Sequence, residues 1–147
     1  MIFDTHAHYD DDRYQEDREA ILASLPINGV GRVVNVAAGM DSVETTVQLA
    51  KRIEYMYAAI GVHPDEIGSL TEDDMKKLSL LVSEYGYRNA TDFVHPNEHK
   101  IVAIGEIGLD YYWDTCDRAL QKKWFERQLI LAKEEDLPAI IHSRDAA

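Results

Sequence analysis

The chain has few of the features that would stabilise a protein covalently or place it in a bilayer. It contains a single cysteine, Cys116. No disulfide can form within one copy, and a reducing cytoplasm is the compartment that fits. Cys116 lies between Asp114 and Asp117, whose charge raises a thiol's pKa, so an inert surface cysteine is expected rather than a nucleophile. No apolar run approaches the roughly 18 residues of a membrane span, so no membrane partner is expected. The N-terminus has neither a basic start nor a long apolar segment, which argues against a signal peptide. Positive charge is also scarce: 15 Lys and Arg face 27 Asp and Glu, giving a net charge of −12. The densest basic spots, Lys51-Arg52 and Lys122-Lys123, sit beside acidic residues on expected helices. A broad phosphate-binding face is therefore excluded. An anionic substrate has to be captured locally, by bound cations and a few arginines.

What the chain does have is a regular alternation of two patterns. Its 147 residues, 46% of them apolar, fit one domain with a sizeable core. Short apolar runs at 2–5, 32–36, 56–62, 100–105 and 138–142 read as strands. Between them, residues 11–24, 42–53, 72–85 and 117–135 carry apolar side chains at helical spacing, such as Val43, Val47, Ala50 and Ile53. Thr71 followed by three acidic residues marks a helix start. The mixed polar stretch 86–99 reads as a loop. Near-continuous Val, Ile and Ala strands separated by amphipathic helices imply a parallel sheet with right-handed crossovers. Two architectures of the α/β class fit: a complete five-stranded open sheet, or β1 to β5 of a TIM-type (β/α)8 barrel, which needs about 250 residues. The last strand is followed only by a short polar stretch and Ala146-Ala147, with no helix to cover it. That favours the second, with residues 1–147 as the N-terminal part of a single truncated barrel domain.

The unusual polar residues fall at the carboxyl ends of the strands, where βα loops converge and parallel α/β proteins build their sites. His6 and His8 follow the first strand, His63 the third, Glu106 the fourth and His142 the fifth. Period-two alternation puts His6 and His8 on one face with Asp4 beneath them. By the same rule Glu106 shares a face with Val102 and Ile104, and His142 with Ile140. Two imidazoles side by side can bind one divalent metal. His95 and His99 have the four-residue spacing of helical zinc ligands, but Pro96-Asn97 between them argues for a solvated loop. Tyr111, Tyr112 and Trp113 either stack on bases or pack their loop against the sheet.

Asp4-Thr5-His6-Ala7-His8-Tyr9-Asp10, Gly61-Val62-His63-Pro64, Gly105-Glu106-Ile107-Gly108-Leu109-Asp110-Tyr111-Tyr112 and His142-Ser143-Arg144-Asp145-Ala146 occur in this order along the chain. Together they resemble the successive signatures of the TatD family of metal-dependent deoxyribonucleases, within the amidohydrolase-like barrels. The resemblance implies that His6 and His8 hold a first metal, Glu106 bridges two metals as the catalytic carboxylate, and His142 binds the second. It also implies a histidine after a sixth strand and an aspartate after an eighth, beyond residue 147. The cofactors implied are two divalent ions, with zinc, manganese and magnesium as candidates, and the substrate implied is DNA, as single strands trimmed from an end. His63 contacts substrate phosphate or supports a ligand, and Asp110 and Arg144 flank the site as substrate or supporting residues.

Two other readings stand beside this one. Related barrels use His-x-His to hydrolyse other esters or amides, although a glutamate on the fourth strand, where others carry a carboxylated lysine, favours the nuclease. A truncated barrel could also be catalytically silent and self-associate through its exposed sheet edges.

Overall fold

A computed structural model describes residues 1–89, 97–113 and 115–146. Five strands, β1 (Ile2–Ala7), β2 (Val30–Val36), β3 (Met56–Ile60), β4 (Ile101–Asp110) and β5 (Ala139–Arg144), alternate with four helices. The helices are α1 (Arg18–Ser24), α2 (Met40–Arg52), α3 (Glu72–Tyr85) and α4 (Arg118–Glu134). Every pairing is parallel and the order is β1-β2-β3-β4-β5. This order decides between the two architectures. An open doubly wound sheet reverses its strand order and takes helices on both faces. Here the order never reverses, so right-handed crossovers put all helices on one side and the sheet curls into a half-barrel.

The two faces of the sheet bury different sets of residues. Val33, Ala58, Ile60, Ile101, Ile104 and Ile107 face the helices and join Leu22, Val47, Met75, Leu78, Trp124 and Leu131 in the main core. The concave face holds a smaller cluster of Val34, Val36, Ala59 and Ala103, with Tyr57, Val102 and Ile140 against it. Large apolar side chains at the two edge strands, Ile2 and Phe3 on β1 and Ile141 on β5, are exposed.

Three of the departures from the sequence reading bear on how the site is built. The first helix is shorter than 11–24, because Asp11 caps the backbone N–H of Arg13 and starts a separate 3-10 turn, Asp12–Tyr14. Arg18 then pins the preceding loop by donating to the carbonyls of Tyr9, Asp10 and Asp11. The third strand ends at Ile60 rather than at residue 62, because Val62 pairs with a helix instead of a strand: Gln128 of α4 accepts from its N–H and donates to its carbonyl. The fourth strand runs on to Asp110 and pairs with β5 over its last residues, with Gly108 against His142 and Asp110 against Arg144. Gly108 has φ +152, and a Cβ there would lie 1.9 Å from the His142 carbonyl oxygen, so this close approach admits only glycine.

Local signals explain the helix ends. The Thr71 hydroxyl accepts from Asp74 N–H, as an N-cap at the expected start of α3, and the Asp74 carboxylate accepts in return from Thr71 N–H. Asp117 accepts from Leu120 N–H at the start of α4. No helix among the described residues is long and apolar enough to cross a membrane.

Candidate metal centre at the strand ends

Three successive carbonyls at the end of β2 organise the site. Val36 accepts from the His8 ring at 2.7 Å, Ala37 from Glu106 N–H at 3.2 Å, and Ala38 from His63 N–H at 2.8 Å. One short apolar segment thereby sets the height of residues from β1, β3 and β4. Asn35, buried within the same strand, accepts from Tyr9 N–H at 2.6 Å and donates to Asp10. Asp10 also accepts from the Thr46 hydroxyl. This network fixes the chain just past His8.

The carboxylate of Glu106, only 8% exposed, is the meeting point. Its Oε2 lies 3.1 Å from His6 Nε2 and 3.8 Å from His8 Nε2. Its Oε1 lies 3.0 Å from His142 Nδ1. The other His142 nitrogen, Nε2, is 2.9 Å from Asp110 Oδ2. The ring of His63 crosses that of His142 edge-on with centroids 4.3 Å apart. Two sets of side chains thus offer ligand atoms within 4.8 Å of one another: His6, His8 and Glu106, and His63, Asp110 and His142.

Hydrogen bonds decide which nitrogens are free. A carbonyl only accepts, so His8 Nδ1 carries the proton toward Val36 and its Nε2 lone pair points at Glu106. That is the tautomer that suits a metal ligand, with its other nitrogen anchored to the backbone. His63 is the opposite case. Its Nδ1 accepts from Asp65 N–H at 3.1 Å, so the neutral ring carries its proton on Nε2 and can donate there. Burial, and then the neighbouring His142, push the His63 pKa down, against the pull of Glu106, Asp65 and Asp110. For Asp110, burial opposes ionisation, but hydrogen bonds from His142 and from the N–H groups of Tyr112 and Trp113 outweigh it and hold its carboxyl below the ordinary value.

Parity explains part of this arrangement and fails in two places. Asp4 pairs with Val33, which faces the helices, so Asp4 lies on the opposite face from the histidines and accepts from His6 N–H. Ile104 also faces the helices, whereas Glu106 enters the site. The register shift between Ile104 and Ile107 breaks the period-two count between them. Ile140 and His142 keep theirs.

The remaining candidates are placed as follows. Arg144 ends β5 and lies over Tyr112 and Trp113. Asp110 is almost wholly buried, with its oxygens engaged by His142, Tyr112 and Trp113. Cys116 is half-buried rather than on the surface, and its Sγ donates to the Asp65 carbonyl at 3.5 Å. His99 is half-buried, and His95 lies outside the described residues. A 360 Å³ cavity opens beside His8, Arg13, His63, Asp65 and Glu106. A larger depression of 710 Å³, between Arg18 and Arg52, has no convergent set of metal-ligand atoms among the described residues.

Sequence reasoning missed Gln121 and Gln128 as supports. Gln121 accepts from Asp110 N–H and donates to its carbonyl, as Gln128 does for Val62. The available signal was two glutamines seven residues apart on the apolar side of one helix.

Fold and site together define a parallel α/β barrel-type protein with histidine and carboxylate groups that could hold a metal at the carboxyl ends of its strands. Comparison with known proteins narrows that class. The family model described as TatD related DNase matches residues 3–147, and the chain belongs to that family, which includes metal-dependent hydrolases. It is 36% identical over 146 residues to the uncharacterized metal-dependent hydrolase YabD of Bacillus subtilis, covering 99% of this chain and 52% of that protein. It is 28% identical over 145 residues to the 3'-5' ssDNA/RNA exonuclease TatD of Cronobacter sakazakii, covering 99% and 50%. The crystal structure of the TatD homologue YjjV from Escherichia coli superposes with a TM-score of 0.82 at 33% identity, over 98% of this chain and 51% of that one. The chain spans about half the length of the relatives it matches.

Proposed function

We propose that the protein is a two-metal phosphodiesterase that trims single-stranded DNA from an end. The observation that carries this reading is the Glu106 carboxylate, which uses one oxygen toward imidazoles of the β1 end and the other toward an imidazole of β5. A carboxylate with each oxygen committed to a different set of nitrogens is built to lie between two cations. The donor chemistry fits, since imidazole and carboxylate accept zinc or manganese, and carboxylate also suits magnesium. His6, His8 and Glu106 would hold the first ion, and Glu106 and His142 the second. When bound, such a pair of divalent ions polarises a phosphoryl oxygen and lowers the pKa of a water molecule.

The chain's own residues supply the rest. His8 is held by Val36 in the ligating tautomer. Asp110 positions His142 from below and does not itself meet the substrate. His63 presents Nε2–H, which favours donation to a substrate phosphate oxygen over coordination, because a ring accepting at Nδ1 and coordinating at Nε2 would have to lose both protons. Arg144 supplies positive charge at the rim. A relative named as an ssDNA/RNA exonuclease supports the choice of a nucleic-acid strand, and the single cysteine supports a cytoplasmic setting.

A nuclease assay on end-labelled single-stranded DNA, with zinc, manganese or magnesium and with chelator, tests the reading against hydrolysis of simple esters and amides. Metal-dependent shortening of the strand is expected. Cleavage of an ester or amide with no action on DNA under any of the three metals would replace it.

The edge strands favour a second property. Ile2, Phe3 and Ile141 are 57%, 58% and 57% exposed on β1 and β5, and unpaired strand edges with apolar side chains recruit other chains. We expect the 147-residue chain to self-associate. A monodisperse monomer by light scattering at micromolar concentration would refute this.

A further inference from the structure

The chain leaves β4 through three successive aromatic residues with different fates. Tyr111 is half-buried, with the Arg118 guanidinium 4.4 Å from its ring and its hydroxyl enclosed. Tyr112 and Trp113 stand out, 53% and 58% exposed, with ring centroids 4.7 Å apart and planes at 86°. Arg144 of β5 places its guanidinium 4.2 Å from the Tyr112 ring and 5.3 Å from that of Trp113. Among the described residues no carboxylate forms an ion pair with it.

The turn is fastened where it is. The N–H groups of Tyr112 and Trp113 both donate to Asp110 Oδ1, at 3.0 and 3.4 Å. The other oxygen of that carboxylate faces His142. One buried side chain therefore fixes a histidine of the candidate metal centre and two exposed rings together. Exposed aromatic rings forgo the burial that ordinarily gathers them into a core. Held open by the backbone beside a site, and crossed by a guanidinium that pairs with no carboxylate among the described residues, they offer flat apolar faces next to a positive charge. That is the chemistry of a single-strand binding platform.

We propose that Tyr112, Trp113 and Arg144 form a stacking site for an unpaired nucleobase, with Arg144 drawing the adjoining phosphate. The inference rests on the nucleic-acid reading above and deepens it. In a duplex each base face is covered by its neighbours, so a platform of this kind selects single strands.

Binding without turnover tests it. In chelator, the protein and its variants are titrated calorimetrically with tetrathymidylate and with an abasic tetranucleotide of equal charge, and in the parent protein tryptophan emission is followed as well. Of the two tryptophans, Trp124 is buried and Trp113 exposed, so quenching by a stacked base reports on Trp113. Tetrathymidylate should quench and bind at least tenfold more tightly than the abasic strand. The double variant Y112A/W113A should lose that preference, a drop of roughly tenfold for the one stacked base, while W113F retains most of it. Equal affinity for the two strands, or an unchanged preference in the double variant, would overturn the stacking site even if DNA is cleaved. Base-dependent binding with no hydrolysis under any metal would instead overturn the phosphodiesterase reading and leave the stacking site standing.

Discussion

The two ligand groups at the strand ends share a neighbourhood but are built differently. The first is open, with the side chains of His6 and His8 37% and 39% exposed. The second is closed: His63, His142 and Asp110 fall to 16%, 20% and 1%. Support differs in the same sense. His8 hangs from one carbonyl of β2, whereas the second group is underpinned by α4, whose Gln121 and Gln128 hold the backbone of Asp110 and of Val62, the residue before His63. The open group can exchange a ligand with solvent at little structural cost. The closed group trades that access for fixed geometry. Glu106 belongs to the first by one oxygen and reaches the second by the other, so it is where the comparison can be broken most severely.

Glu106→Ala should give the largest effect. Among the described residues it removes the only carboxylate facing His6, His8 and His142 together, so both groups should weaken at once. DNA hydrolysis should fall on the order of a thousandfold, or about 4 kcal/mol. Metal titration by calorimetry should show both sites lost. One site surviving at full affinity would mean that the groups are independent and that Glu106 serves only one.

Gln128→Leu should act on the closed group alone. Leucine keeps the volume but strands the buried N–H and carbonyl of Val62, at a cost of about 1–3 kcal/mol for each unsatisfied group before relaxation. A loss of about 2–3 kcal/mol from urea unfolding is expected, together with weaker activity through a displaced His63. The His6–His8 pair should keep its metal affinity. Equal damage to both groups would show that α4 supports the whole rim.

Some of this construction could be read in the sequence and some could not, for physical reasons. Strand and helix alternation was legible because apolar periodicity is local. Polar residues ending apolar strands were legible because such placement is costly unless they are used or partnered. The position of Asp4 was not, since a register shift in β1 resets the parity. The same holds for Ile104, whose strand is irregular before Ile107. Nor could Gln128 be understood along the chain. It is a polar residue in an apolar helical stripe, and its meaning lies in a backbone 66 residues away. The extension of β4 to Asp110 depended likewise on β5 arriving beside Gly108. Strand order, which separated half-barrel from open sheet, is tertiary information throughout.

The smallest effect should come from Asp110→Asn, which sharpens the comparison without emptying either group. The amide can still accept from Tyr112 and Trp113, but it loses the charge that faces His142. Loss of such an orienting partner typically costs 10–100-fold in affinity or activity, and the surviving hydrogen bonds place this change near the lower end, about tenfold. On the proposed two-metal reading, binding of the second ion should weaken while that of the first, at His6, His8 and Glu106, does not. Acid stability gives an independent readout. The Asp110 pKa is lowered in the folded protein, so the native state releases its proton more readily than the unfolded chain. Its stabilising contribution is therefore complete above the unfolded value, near 3.8, and fades as pH falls through the lower folded value. The variant lacks this carboxyl, so the gap in urea midpoint between it and the parent should be largest near neutral pH and narrow in acid. A gap that stays constant down to the acid limit would mean that the charge of Asp110 contributes nothing, and that the carboxylate matters only as a hydrogen-bond acceptor for the aromatic turn.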